Sequence, residues 1–189
     1  MTRYSRQISL PEIGEGGQEK LHKARVLIVG AGGLGSPAAL YLAGAGVGTI
    51  GLADDDTVGI SNLQRQILYT ENEVGQLKVH CAAQRLRALN GNIEVHAHPF
   101  RLNRENARRL IADYDIIVDG CDNFSTRYLI SDSCSALHKP YVYGAIQGFE
   151  GQVSVFCYGD RPRTYRDLFP DETATCLLYT SPSPRDISG

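Results

Sequence analysis

Long apolar runs are absent from this chain. No stretch of its 189 residues approaches the roughly 18 consecutive apolar side chains of a membrane-spanning helix, so no membrane is expected as a partner. A one-sided charge is absent too. Nineteen Lys and Arg stand against 21 Asp and Glu, and the net charge is −2 with no long run of either sign. That balance weighs against nucleic acid as the main partner. The first residues, MTRYSRQISLPEIGEG, hold no apolar h-region, so no secretory signal is expected. Paired cysteines are scarce. The five, Cys81, Cys121, Cys134, Cys157 and Cys176, are odd in number and form no C-x-x-C, which points to the reducing cytoplasm. Cys81, Cys134 and Cys157 fall inside helix or strand patterns and read as inert buried thiols. Internal repeats are lacking, and so is the G-x-x-x-x-G-K-[ST] of a Walker P-loop.

What remains is a globular composition, 42% hydrophobic and 21% charged, in a length that suits one domain. From Arg25 onward strands alternate with helices. RVLIVG (25–30) is a continuous apolar run, as in a strand buried on both faces. SPAALYLAGAG (36–46) reads as a helix with Pro37 in its first turn. TIGLADDD (49–56) is a second strand running into three acids, and 74–90 is an amphipathic helix. IEVHAHP (93–99) is a third strand. Asn103 is expected to cap a helix over 104–113. DIIVDG (115–120) is a fourth strand, and Asp122 is expected to cap a helix over 123–138. PYVYGAI (140–146) and GQVSVFCY (151–158) read as a hairpin turning at Gly148–Gly151. The pattern implies an α/β fold with a Rossmann-like, doubly wound, mostly parallel sheet and a mixed edge. Residues 1–24 form a polar, helix-capable arm and 25–158 the nucleotide-binding domain. Residues 159–176 begin a crossover loop, and the Ser/Pro-rich tail 177–189 reads as disordered or foreign to the fold.

The chemistry starts at VLIVGAGGLGSP (26–37), where Gly30, Gly32, Gly33 and Gly35 follow a strand and open a helix. Glycines let backbone approach an anion, and a helix N-terminus offers free N–H groups and partial positive charge. Asp54, Asp55 and Asp56 close the next strand, where an acid can hold ribose hydroxyls. Both features suit NAD and ATP equally. SNLQRQ (61–66) then supplies Asn62 and Arg65, and Lys78 follows. Extra cations suit a triphosphate better than a dinucleotide cradled by amides. Asp122 sits at the end of the fourth strand, where such sheets bind ligands and where a carboxylate can hold Mg²⁺. A NAD-dependent oxidoreductase stays open at this point, but leaves Arg65, Lys78 and Asp122 without work.

RYSRQISL, VLIVGAGGLGSP, LADDDTVGISNLQRQIL, VGQLKV, VDGCDNFSTR and GQVSVF, in that order, resemble the MoeB/ThiF/HesA adenylyltransferases, bacterial relatives of ubiquitin-activating enzymes. The resemblance runs from about residue 3 to 176. It implies a ubiquitin-activating-enzyme-like fold. It also implies ATP-dependent adenylation of the C-terminal glycine of a ubiquitin-like sulfur carrier, of ThiS or MoaD type. By resemblance Gly33 and its neighbours take phosphate, Asp54 takes ribose with Asp56 close by, and Asn62, Arg65 and Lys78 meet the triphosphate. Ser61, Leu63 and Gln64 fall in the same segment. Asp122 binds Mg²⁺ with Asn123 beside it. Arg6 would reach into the partner subunit's site of a homodimer.

The departures are specific. Relatives with a structural zinc carry a cysteine pair near 164–167, whereas this chain has Thr164 and Asp167. No zinc is expected. Cys176 matches a cysteine that some relatives use in sulfur transfer, which would involve a sulfur donor. LLYTSPSPRDISG matches nothing in the family and suggests truncation. That would leave a nucleotide pocket without the carrier-docking surface, and an exposed sheet edge with apolar surface. A module that binds the carrier without turnover is the remaining alternative.

Overall fold

A computed structural model describes residues 3–170. Cys176, the end of the crossover loop and the tail 177–189 lie outside the described residues. Two short helices open the chain, α1 (Ser5–Ile8) and α2 (Gly14–Lys23). There follow β1 (Arg25–Val29), α3 (Gly35–Ala45), β2 (Thr49–Ala53), α4 (Lys78–Leu89), β3 (Glu94–His98), α5 (Ala107–Ala112), β4 (Ile116–Asp119), α6 (Phe124–Leu137), β5 (Tyr141–Gln147), β6 (Glu150–Phe156) and α7 (Tyr165–Leu168). The strands form one sheet in the order β3-β2-β1-β4-β5-β6. All pairs are parallel except β5 with β6, which is the expected mixed edge.

The unbroken apolar run of β1 has its cause in this layering. Val26 and Ile28 join one core cluster, with residues of α3 and α4. Leu27 and Val29 join the other, with residues of α5 and α6. A strand covered on both faces has no polar side to alternate with. The chain leaves β1 toward β2 on one side and β4 lies on the other. The strand order therefore reverses between β1 and β4, and the carboxyl ends there form the crevice where such sheets take ligands.

Some element boundaries differ from expectation. β2 stops at Ala53, so all three aspartates stand beyond the strand. The helix expected from residue 74 starts at Lys78. Ahead of it Gly75 has φ +87, a left-handed conformation that breaks helix, and Glu71–Glu73 form a 3₁₀ turn. Asn103 accepts from the backbone N–H groups of Glu105 and Asn106, which closes a turn, and α5 begins only at Ala107. Asp122 is not the cap of α6. Asn123 is, and its side-chain oxygen accepts from the Thr126 N–H at 3.0 Å. Cys81 and Cys134 are buried as expected, and Cys157 is buried just past β6 at φ 55. Burial pushes all three thiols above their ordinary value. β6 is an edge strand of the described sheet, and Ile146, Phe149, Val153 and Val155 are exposed on its hairpin.

The N-terminal arm packs against the far end of the molecule. Gln7 and Gln18 donate to the Ala45 carbonyl at the end of α3, and Asn90, past α4, donates to the Tyr4 hydroxyl. No helix among the described residues is long and apolar enough to cross a membrane.

Candidate nucleotide site

The glycine turn between β1 and α3 is clamped from three directions through Ala31. Asp54 accepts from its N–H at 2.7 Å, and Tyr69 and Ser36 donate to its carbonyl at 2.8 and 3.3 Å. The four glycines divide into two pairs. A side-chain carbon on Gly35 would sit 1.9 Å from the Gly30 carbonyl oxygen, and one on Gly30 would sit 2.7 Å from the Gly120 carbonyl carbon. Gly30 and Gly35 are therefore required by packing, since they let the turn and the end of β4 touch. At Gly32 and Gly33 the nearest atoms to such a carbon are Gln66 Nε2 and Arg65 Cδ, each at 3.6 Å, which is ordinary contact. Over that second pair lie only the side chains of Gln66 and Arg65 and no other backbone, which leaves room for approach of a phosphate.

Arg65 runs its stem along Gly33 and donates through Nη1 to the Ser61 carbonyl at 3.1 Å. It makes no ion pair within the described residues. Asn62 uses its side-chain oxygen locally, accepting from Gly59 N–H at 3.0 Å, which leaves its amide N–H groups as its ligand donors. Leu63 packs against the core beneath α3 and α4, so its side chain serves packing. Ser61 and Gln64 are exposed.

Lys78 begins α4 and is buried. Its backbone N–H donates to the Asp56 carbonyl at 3.0 Å and its Nζ lies 2.8 Å from Asp56 Oδ2. Asp54 takes N–H bonds from Ala31 and Asp56, and burial still raises its carboxyl above the ordinary range. Both oxygens keep further acceptor capacity once ionised. Asp54, Asp55 and Asp56 place one oxygen each within 4.8 Å of one another, and no other such group of three exists among the described residues. These hard donors suit Mg²⁺. Asp122 is exposed, two residues past Gly120, where β4 meets the glycine turn. Sequence reading names a cap for it, and its carboxylate is free of that duty.

Beneath Asp122 lies an arrangement that sequence reading missed. Asp119, buried at the end of β4, accepts from the Cys121 N–H at 2.9 Å and from the Tyr141 hydroxyl at 2.6 Å. Arg127 donates to the Cys121 carbonyl at 3.0 Å and approaches Asp119 at 3.8 Å. Cys121 is thus held at both its N–H and its C=O. An acid inside an apolar strand was the available signal.

One predicted site residue stands apart. Arg6 is exposed on α1, whose arm contacts the far end of α3. Eleven residues of helix, roughly 16 Å at 1.5 Å per residue, separate that end from the glycine turn. Asp167 accepts from the N–H and hydroxyl of Thr164 at 2.7 and 2.9 Å, a capping box at the start of α7. That pair offers oxygen, not the thiolate that structural zinc takes.

Residues 4–184 match the ThiF family. The chain belongs to that family. A sulfur carrier protein adenylyltransferase of Thermus thermophilus is 49% identical over 174 residues, covering 90% of this chain and 64% of the relative. A probable molybdopterin-synthase adenylyltransferase of Porphyra purpurea is 52% identical over 167 residues, covering 88% of this chain and 44% of the relative. This ThiF-family chain therefore spans less than two thirds of the length of either. The crystal structure of E. coli MccB with ATP shares the fold at a TM-score of 0.69 and 30% identity, over 76% of this chain and 44% of that one.

Proposed function

We propose that this chain carries the ATP-dependent adenylation of the C-terminal carboxylate of a ubiquitin-like sulfur carrier. The observation that carries the reading is the pairing of glycine backbone at Gly32 and Gly33, over which no other backbone closes, with Arg65 laid along it and no acid holding that arginine. The names of the Thermus and Porphyra relatives and the ATP in the MccB structure support it.

The reaction joins two anions. A terminal carboxylate, with an ordinary pKa near 3.5, is ionised at neutral pH and needs no base. The difficulty is its approach to a polyanion, so the protein's part is positioning and charge neutralisation. The amides of Gly32 and Gly33 and the Arg65 guanidinium take phosphate oxygens. Lys78 adds a second cation, held by Asp56 until a phosphate competes for it. Asp54 accepts from ribose hydroxyls. The carboxylate oxygen bonds to the α-phosphorus, the bond to the β-phosphate oxygen breaks, and pyrophosphate leaves with the electron pair. Asp122, after β4, and Asp54–Asp56, after β2, flank the end of β1 in the sheet order and would hold Mg²⁺, which offsets phosphate charge when bound. Asn123 gives its oxygen to the helix cap and keeps only its amide N–H groups for a ligand. Arg6, remote from this chain's own glycine turn, would act in the partner subunit's site of a homodimer. A role for Cys176 with a sulfur donor belongs to the same reading.

ATP–pyrophosphate exchange tests it, with a ThiS-type and a MoaD-type carrier in turn. The better carrier separates thiamine from molybdopterin biosynthesis. Exchange should require the carrier's terminal glycine and fall at least about a hundredfold in Arg65→Ala. Tight nicotinamide coenzyme binding without ATP binding would favour the oxidoreductase alternative and end this reading.

A further inference from the structure

The segment RLNRENARR, residues 101–109, carries Arg101, Arg104, Arg108 and Arg109 against the single acid Glu105, in a chain whose net charge is −2. All four arginines are exposed, and the ion pairs of the described residues include none of them. Guanidinium groups stay charged at any physiological pH. Like charges crowded into one short segment repel, and no ion pair among the described residues offsets that cost.

The arginines also line a cleft. A hollow of about 310 Å³ lies between 101–104 and the face of α6, with Arg101 and Arg104 on one wall and Ser125, Thr126 and Leu129 on the other. A second hollow of about 330 Å³ shares Arg104, Leu129 and Asp132 with it and continues past Arg108 to Ala136. The two make one groove with cations on one rim and small or apolar side chains along the floor. The acid in it, Asp132, is already taken: Arg166 binds it through two parallel bonds of 2.9 and 2.8 Å. Ser125 and Thr126 are in the first turn of α6, directly after Asp122 and Asn123. The groove therefore opens beside the nucleotide crevice.

We infer that this groove docks an acidic segment of a partner polypeptide, its carboxylates on Arg101, Arg104 and Arg108 and an apolar side chain on Leu129 and Ala136. Arginine forks match carboxylates bidentately, and the apolar floor rewards a side chain that a sugar–phosphate backbone lacks. A long polyanion would also meet the net negative charge of the whole chain, which a short acidic peptide largely avoids. This surface goes beyond the adenylation chemistry and does not require it.

The test is fluorescence anisotropy, without ATP, of a short fluorescein-labelled peptide of glutamates bearing two leucines. A lysine counterpart and a uridine oligonucleotide of equal charge serve as competitors. The glutamate peptide should bind at low salt, weaken as salt rises, and lose at least about tenfold in affinity in the double variant Arg104→Glu/Arg108→Glu. Both positions are exposed, so that variant should keep the parent's unfolding midpoint and its affinity for ATP. Arg104→Lys/Arg108→Lys should lose less than the reversal. Equal binding of the lysine peptide, equal binding to the reversed variant, or tighter binding of the oligonucleotide would each overturn the inference. ATP affinity is measured separately, so failure here leaves the adenylation reading intact, and the converse holds.

Discussion

The ammonium of Lys78 lies 2.8 Å from the carboxylate of Asp56, with 5% of the lysine side chain exposed against 67% of the aspartate. The cation is the buried member and the anion the wet one. Water screens much of the pair's attraction, so the pair does not exist chiefly for stability. In the proposed chemistry it would keep a cation desolvated and aimed until a phosphate arrives.

Lys78→Met should therefore separate activity from folding. Asp56, left behind, is 67% exposed and stays hydrated, so the substitution strands no buried charge. Unfolding free energy in urea should change by less than about 1 kcal/mol, while carrier-dependent exchange falls about a hundredfold. Unchanged exchange would remove Lys78 from the chemistry.

The two glycine pairs predict opposite outcomes for one methyl group. Gly35→Ala forces a carbon to within 1.9 Å of the Gly30 carbonyl oxygen, and the protein should lose at least about 3 kcal/mol or fail to fold. Gly33→Ala meets Arg65 at ordinary contact and should keep its unfolding midpoint, but lose the stabilisation that ATP gives the parent. Thermal melts with and without ATP distinguish the two.

Burial raises the Asp119 carboxyl above its ordinary 3.8, against the opposing pull of Cys121, Tyr141 and Arg127. The native chain thus holds this proton to higher pH than the unfolded chain does. The group's contribution is complete below about pH 3.8 and declines as pH rises through the window above it. Asp119→Asn cannot titrate. The stability of the parent minus that of Asp119→Asn should be greatest at the acid end and shrink toward neutrality, as read by urea unfolding across pH. A difference that grows with pH would reverse the assignment.

Arg6 and Arg65 give a test of the proposed dimer. Each Ala variant alone should lose exchange. If Arg6 serves the partner's crevice, a mixed dimer of Arg6→Ala and Arg65→Ala holds one site with both arginines intact. Mixing the two inactive proteins should then restore a sizeable fraction of the parent's activity. No recovery after verified subunit exchange would place Arg6 outside the mechanism.

Much of this molecule follows from local pattern. A four-residue apolar run with no polar alternation can only be covered on both faces, and the run 26–29 is so covered. Glycines between that strand and the next helix mark a turn, and the acids after β2 mark its wet end. Those rules are short-range, and the residues that obey them are neighbours in the chain.

The chain order left other matters undecided because they depend on contacts between distant segments. Four glycines look alike in sequence; the approach of Gly120 to Gly30 and the closing of Gly35 on the Gly30 carbonyl make two of them packing residues, while Gly32 and Gly33 meet only side chains at ordinary contact. Asp122 and Asn123 are adjacent candidates for one cap, a local choice of one residue that the start of α6 at Phe124 settles for Asn123. Burial of Lys78, the hold of Asp119 and Arg127 on Cys121, and the distance of Arg6 from its own glycine turn arise from how distant segments pack. Local pattern sets what each segment can become, whereas desolvation and excluded volume act between segments and exist only once the sheet has closed.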